Sequence, residues 1–300
     1  MKSRPDPSTL NLGDSADVRH TDVEVEGVRF HVADAGPEDG QPIVLVHGWP
    51  QHWWCWRKVA PLLGEYRCVM PDLRGHGWSD APADGYEKRR LAEDVLGIMD
   101  SLGLDRVTYA GHDWGALIGF LLASKAPERV SSFLALSVPH PWPSRHDRTD
   151  PRRLAAGLYQ IPLSTPVLGE RLVRGGLVRK VFGGAAPRGT FSRDEEDVYL
   201  ERISRQEGAR VTVALYRTFL LRELPGNRIG KTVADPFETT TRLLMGERDP
   251  IAMGADLEGY EPHAPHMTLE WVPGAGHFLP EEEPELVASH VRELVASQGT

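Results

Sequence analysis

Cysteine is scarce in this chain: two residues, Cys55 and Cys68, in 300. Two thiols make neither a disulfide framework nor a metal-ligand spacing, which points to a reducing compartment. No stretch approaches the length of a membrane span. Met1 to Asp17 is polar, carries Pro5 and Pro7, and lacks the apolar stretch of a signal peptide. A cytoplasmic protein with a loose N-terminal tail over residues 1–17 is expected. Basic charge is also in deficit, with 34 Lys and Arg against 43 Asp and Glu and a net charge of -9. Pairs such as Arg89-Arg90 and Arg152-Arg153 are too short to reverse that, so neither nucleic acid nor a membrane is expected as partner. A dinucleotide fingerprint, a metal cluster, internal repeats and low-complexity tracts are all missing, so no cofactor and no metal is implied.

What the chain does have is an alternation of strand and helix patterns. Val23 to Ala33 alternates apolar and polar residues around Glu26-Gly27, as an edge hairpin does. Ile43-Val44-Leu45-Val46, Cys68-Val69-Met70, Arg106 to Ala110, Phe133 to Leu136, Leu243 to Met245 and Thr268 to Val272 read as strands. Glu87 to Leu102 carries a helical apolar stripe through Leu91, Val95, Ile98 and Met99. Such interleaving implies a mostly parallel sheet covered by helices on both faces. The length suits one core with one insertion. From about His140 to Asp235 the pattern changes. Pro141, Pro143, Pro151, Pro162 and Pro166 break short segments, and helical runs follow at Arg193 to Gln206 and Ala209 to Glu223. The expected organisation is a core of residues 18–139 and 236–300, with residues 140–235 forming a helical cap over the carboxyl ends of the strands, where open sheets bind ligands.

The most specific motif is Gly111-His112-Asp113-Trp114-Gly115-Ala116, placed between a strand and a helix that stops before Pro127. A sharp strand-to-helix turn demands small flanking residues and exposes the side chain at its apex. An Asp after a glycine is commonly a mere turn residue. Here the apex carboxylate has two downstream partners, and a carboxylate at an elbow can attack saturated carbon to form an ester. Asp249 follows the strand at Leu243 to Met245, with Glu247 and Asp256 as nearby alternatives. His277 follows the glycine-rich Pro273-Gly274-Ala275-Gly276, which lets a loop carry the imidazole over the sheet. Asp249 would fix the tautomer of His277. Upstream, His47-Gly48-Trp49-Pro50 places the Trp49 amide, with that of Trp114, where an oxyanion hole is needed. That oxyanion would form on the carboxyl of Asp113 itself, when water attacks the ester. His112 and His47 read as structural, and Asp72, Arg74 and Asp80 as loop scaffolding. Trp49, Trp53, Trp54 and Trp56 either line a pocket mouth or pack at a helix start.

Together, His47 to Pro50, Asp72-Leu73-Arg74-Gly75-His76-Gly77-Trp78-Ser79, Gly111 to Gly115, Gly246 to Asp249 and Gly274 to His277 resemble α/β-hydrolase-fold epoxide hydrolases of the Asp-nucleophile branch, over about Val18 to Ala296. The resemblance implies an α/β-hydrolase fold and hydrolysis of a small apolar epoxide to a vicinal diol, in a monomer or homodimer. An epoxide's leaving oxygen becomes an alkoxide, which needs a donor opposite the nucleophile. Tyr159 in Leu158-Tyr159-Gln160 and Tyr216 in Ala214-Leu215-Tyr216-Arg217 resemble the ring-opening tyrosines of that family. The alternative for Tyr216 is packing within the cap. Tyr199, in a charged helix, is expected at a surface or interface. A haloalkane dehalogenase would use the same ester chemistry with N–H donors for halide. One branch places an Asn where this chain has Trp49, and another uses a cap Trp, for which Trp142 is the candidate. A non-catalytic ligand receptor on this fold is a third reading.

Overall fold

The computed structural model describes residues 6–13, 17–142, 158–225, 231–251 and 257–298. Strands β1 (Val18–Val25) and β2 (Val28–Ala35) form the edge hairpin, its turn made by Glu26 and Gly27 at φ of 48° and 75°. Then come β3 (Pro42–Val46), β4 (Arg67–Pro71), helix α1 (Lys88–Ser101), β5 (Val107–His112), α2 (Trp114–Lys125) and β6 (Val130–Leu136). Between β6 and β7 (Thr241–Gly246) the described residues form helices: α3 (Gln160–Leu163), α4 (Leu168–Leu172), α5 (Val178–Ala185), α6 (Arg193–Ile203) and α7 (Gln206–Thr218). The last runs into a π-helical turn, Phe219–Glu223. Strand β8 (Met267–Val272), a short α8 (Leu279–Glu282) and α9 (Pro284–Ala296) close the chain.

Among the described residues the sheet has eight strands in the order β1-β2-β4-β3-β5-β6-β7-β8. Pairing is antiparallel from β1 to β2 and from β2 to β4, and parallel from β4 onward. The inner strands β3, β5 and β6 are buried almost throughout, which is why they read as unbroken apolar runs rather than as alternation. Side chains one residue apart point to opposite faces, and both faces are occupied. On one, Tyr109 and Phe133 pack so closely under α2 that a Cβ at Gly119 would strike both rings. On the other, Thr108 and Ser132 accept hydrogen bonds from Gln298 Nε2, just past α9, at 2.9 and 2.7 Å. Helix α1 buries the expected stripe of Leu91, Val95, Ile98 and Met99.

The two expected helical runs of the insertion divide at Ser204-Arg205, so α7 starts at Gln206. Ser192 opens α6 with a reciprocal capping box to Glu195. The breaks expected at Pro143 and Pro151 lie outside the described residues. The expected loose tail is in part tied down: Leu12 is buried, Leu10 packs against the core, and the Asn11 carbonyl accepts from Trp54 Nε1 at 3.0 Å. Cys55 and Cys68 are buried free thiols. No helix among the described residues is long and apolar enough to cross a membrane.

Candidate active site

Strand β5 ends at His112 and α2 begins at Trp114, leaving Asp113 alone to make the turn at φ 52°, ψ -119°. A residue with a side chain rarely sits there, and such strain persists only where the surroundings enforce it. They do. The Asp113 amide donates to Leu136 O at 3.0 Å, and its carbonyl accepts from Ala116 N at 3.0 Å. Two glycines leave the room: a Cβ at Gly115 would run into the carbonyls of Val46 and His47, and one at Gly48 into the Asp113 carboxylate. That carboxylate is 9% exposed and lies at the N-terminus of α2, where amide dipoles favour an anion. Trp49 N donates to its Oδ2 at 2.9 Å, and the Trp114 amide also bonds it. Burial outweighs these donors and the nearby His277, so Asp113 is pushed up to about 6.

The loop after β7 carries Asp249, fully buried. Its Oδ1 accepts from Ile251 N at 2.8 Å and its Oδ2 faces His277 Nδ1 at 3.0 Å. A carboxylate only accepts, so Nδ1 bears the hydrogen and Nε2 is left as the second ring nitrogen. Burial pulls His277 down, but Asp249 and Asp113 outweigh it and hold it at about 9. Its backbone is tied on both sides: His277 N donates to Ala185 O of the insertion at 2.8 Å, and His277 O accepts from His112 Nε2 at 2.7 Å. Burial keeps His112 neutral, which makes it a brace for the loop. Glu247, one of the two alternatives to Asp249, bonds the Gly274 amide instead, and Asp256, the other, lies outside the described residues. His47 also braces, its Nε2 accepting from Leu73 N at 3.0 Å. Asp72 accepts from the amides of Trp53 and Trp78, both at 2.9 Å, and Arg74 is paired with Asp94.

The insertion brings Tyr216 and Tyr159 to this place. Their rings meet edge to face at 6.1 Å, and Tyr216 also stands edge-on to Trp49 at 5.4 Å and Trp114 at 5.6 Å. Tyr216 is 2% exposed. Tyr159 is 37% exposed at its outer face, while its hydroxyl end is enclosed. Burial and the Asp113 charge push both phenols above their usual range, so both stay protonated. Tyr199 corrects the expectation of a surface position. It is fully buried, its hydroxyl donating to Glu281 Oε1 at 2.6 Å and accepting from Arg57 at 3.1 Å. Its helix α6 is charged on the face away from the core, and its buried residues are Tyr199 and Ile203. Of the tryptophan cluster, Trp53 and Trp56 are packing residues of a short helical turn, while Trp49 stands beside Asp113. The Trp49 indole N–H is taken by Thr212 Oγ1 of α7 at 3.0 Å. Trp142 packs among Phe120, Phe237 and His263.

Three features had no legible pattern: Thr212 holding Trp49, the Arg57–Glu281–Tyr199 cluster, and Lys88. Each joins residues far apart in sequence, and a lysine in the run Glu87-Lys88-Arg89-Arg90 looks like any solvated helix start. A separate cleft of about 450 Å³, counting its open mouth, lies between Pro50–His52, Gly75 and Arg202 and contains none of Asp113, Asp249 or His277.

The chain matches the alpha/beta hydrolase fold family over residues 41–284 and belongs to it. It is 28% identical over 286 residues to the AB hydrolase superfamily protein YfhM of Bacillus subtilis, covering 92% of this chain and 97% of that one. A shorter match, 44% identical over 125 residues, is to a soluble epoxide hydrolase of Corynebacterium sp. and spans 41% of this chain and 43% of that protein. Among solved structures, epoxide hydrolase CorEH superposes with a TM-score of 0.81 at 26% identity, covering 94% of this chain and 99% of the other.

Proposed function

We propose that this protein hydrolyses small apolar epoxides to vicinal diols through an ester on Asp113. A carboxylate at the elbow apex, faced by two phenols from the insertion, carries this reading. The epoxide hydrolases among its relatives support the substrate class. The insertion acts as a cap. In the first half-reaction an Asp113 oxygen attacks a ring carbon, the ring C–O bond breaks with its electron pair going to oxygen, and a proton from Tyr159 or Tyr216 quenches the alkoxide. In the second, His277, oriented by Asp249, takes a proton from water, which attacks the Asp113 carbonyl carbon. The oxyanion falls to the amides of Trp49 and Trp114; its collapse breaks the ester C–O bond, the leaving oxygen takes the proton that His277 drew from water, and the proton released as Asp113 ionises again restores the phenol, giving the diol with one water oxygen kept on Asp113.

A dehalogenase would need free N–H donors for halide. The Trp49 indole N–H is occupied by Thr212, and the two phenols facing Asp113 supply the donors that an epoxide's leaving oxygen needs, which favours the epoxide. Two measurements test the proposal. Assayed on epoxides and haloalkanes, the protein should give diol and no halide. A single turnover in heavy-oxygen water should label the Asp113 carboxyl, seen by peptide mass spectrometry. Label entering the diol on the first turnover would mean that water opens the ring and that Asp113 is only a base.

A further inference from the structure

Lys88 has no exposed surface, although it opens a helix of the core. Its side chain reaches into the cap. Nζ donates to Leu215 O at 2.8 Å and pairs with Glu223 Oε2 at 3.1 Å, while Glu223 Oε1 accepts from Lys88 N at 2.7 Å. The same ammonium lies 4.5 Å from the centre of the Trp114 ring and 5.3 Å from that of Phe219. Taking an ammonium out of water is costly, and an unbranched apolar residue would fill the space without that cost. The places where its contacts end are informative. Leu215 precedes Tyr216, and three residues after Tyr216 helix α7 loosens into the π-helical turn, a local widening common at functional sites. A cation near the last carbonyls of a helix is also well placed against its dipole. Trp114 follows Asp113, bonds its carboxylate through the amide, and stands edge-on to Tyr216. One buried charge therefore touches the residue beside the nucleophile and the backbone beside the phenol.

We infer that Lys88 is a positioning residue for ring opening: its ammonium ties the turn carrying Tyr216 to the indole of Trp114 and so sets the phenol over the Asp113 carboxylate. This rests on the proposed function. It concerns the first half-reaction before the second, because Lys88 meets Trp114 at the indole and not at the backbone amide that serves the oxyanion, and the Asp249–His277 pair is held by the β7 and β8 loops and by Ala185, none of which Lys88 touches.

The test is a pair of single-step measurements with an aryl epoxide as probe: ester formation under excess enzyme, followed by intact-protein mass spectrometry, and hydrolysis of the isolated ester. In Lys88→Met, ester formation should slow by about 10- to 100-fold, as for a reacting group displaced by a fraction of an ångström to an ångström. Ester hydrolysis should stay within about twofold, since the Trp114 amide is fixed by the elbow backbone and the Asp249–His277 pair has no contact with Lys88. Lys88→Arg, which keeps a cation able to lie over the indole, should recover most of the loss. Ester formation at the wild-type rate in folded Lys88→Met, or an equal loss in both steps, would overturn the inference. The second result would mean a general loosening of the cap. Should Lys88→Met not fold, Glu223→Gln decides, since it keeps the lysine side chain but removes the counter-charge that sustains its proton against burial. It should slow ester formation alone, and an unchanged rate there overturns the inference. Absence of any ester in the wild-type protein would overturn the proposed function itself, and the Lys88 role with it.

Discussion

Replacing His277 with Gln should trap the covalent intermediate, and the structure says at which pH to look. In the proposed mechanism the variant loses the base for ester hydrolysis, a contribution of about 10²- to 10⁴-fold. It also loses the positive charge beside Asp113, one of the influences that hold that carboxylate down against burial. At about 6, Asp113 is roughly nine-tenths ionised at pH 7. Were the loss of the imidazolium to move it to about 7, half would remain ionised and ester formation at pH 7 would fall only about twofold. Formation thus outruns hydrolysis by one to four orders of magnitude more than in the wild type, and at pH 9 even the twofold loss disappears. Intact-protein mass spectrometry under excess epoxide should show a mass increase equal to the epoxide at pH 7 and a more complete one at pH 9. A variant that stays unmodified at pH 9, while the wild type turns over the same epoxide, refutes the assignment of His277 to the second half-reaction.

Asp249→Asn breaks the bond that orients His277 and should give a milder form of the same trapping, toward the lower end of the about 10²- to 10⁴-fold range in hydrolysis rate. Tyr159→Phe and Tyr216→Phe each remove one hydroxyl and little packing, so the unfolding free energy from denaturant titration should change by no more than about 1 kcal/mol. Ester formation should lose up to about 3 kcal/mol of transition-state stabilisation in each, and nearly all activity in the double variant; wild-type rates in the folded double variant would end the phenol mechanism. Tyr199→Phe takes a donor from the buried Glu281 carboxylate and should cost about 1–3 kcal/mol of stability. An unchanged unfolding midpoint would show that Tyr199 adds nothing there.

Local rules made most of the core legible. The elbow could be placed because a strand, a small-residue turn and a helix adjoin in sequence, and the structure puts Asp113 at that turn with a strained backbone. The strands read well because burial on both faces leaves a continuous apolar run. The insertion was less legible, since its helices are short and its contacts long-range. Tyr199 shows why: three acidic residues open α6 and suggest a solvated helix, yet the face bearing Tyr199 is buried against Arg57 and Glu281. Nothing within α6 announces partners more than eighty residues away. Lys88 escaped for the same reason. Its neighbours in sequence are charged, and its burial comes from α7 and the π-helical turn, which approach only in three dimensions.

The charge states of the site pose a problem that the proposed ester resolves. Burial alone would lower His277, but Asp249 and Asp113 hold it at about 9, so at pH 7 the resting enzyme carries an imidazolium, which cannot act as a base. Ring opening turns Asp113 into a neutral ester and removes one of the two carboxylates that sustain that proton. His277 then drops toward neutrality as the hydrolysis step begins, and the proton it gives up offsets the one the alkoxide consumed. Formation of the ester should therefore take up almost no net proton from solvent at pH 7, as read with an indicator dye in a single turnover under weak buffering. In the resting enzyme the raised value also implies a sign for stability. The contribution of His277 is fully present below about pH 6.5 and is lost as pH rises through about 9, so the stability difference between wild type and His277→Gln should shrink across that window. Uptake of one full proton per ester formed would show that His277 stays charged throughout, and another group would have to activate the water.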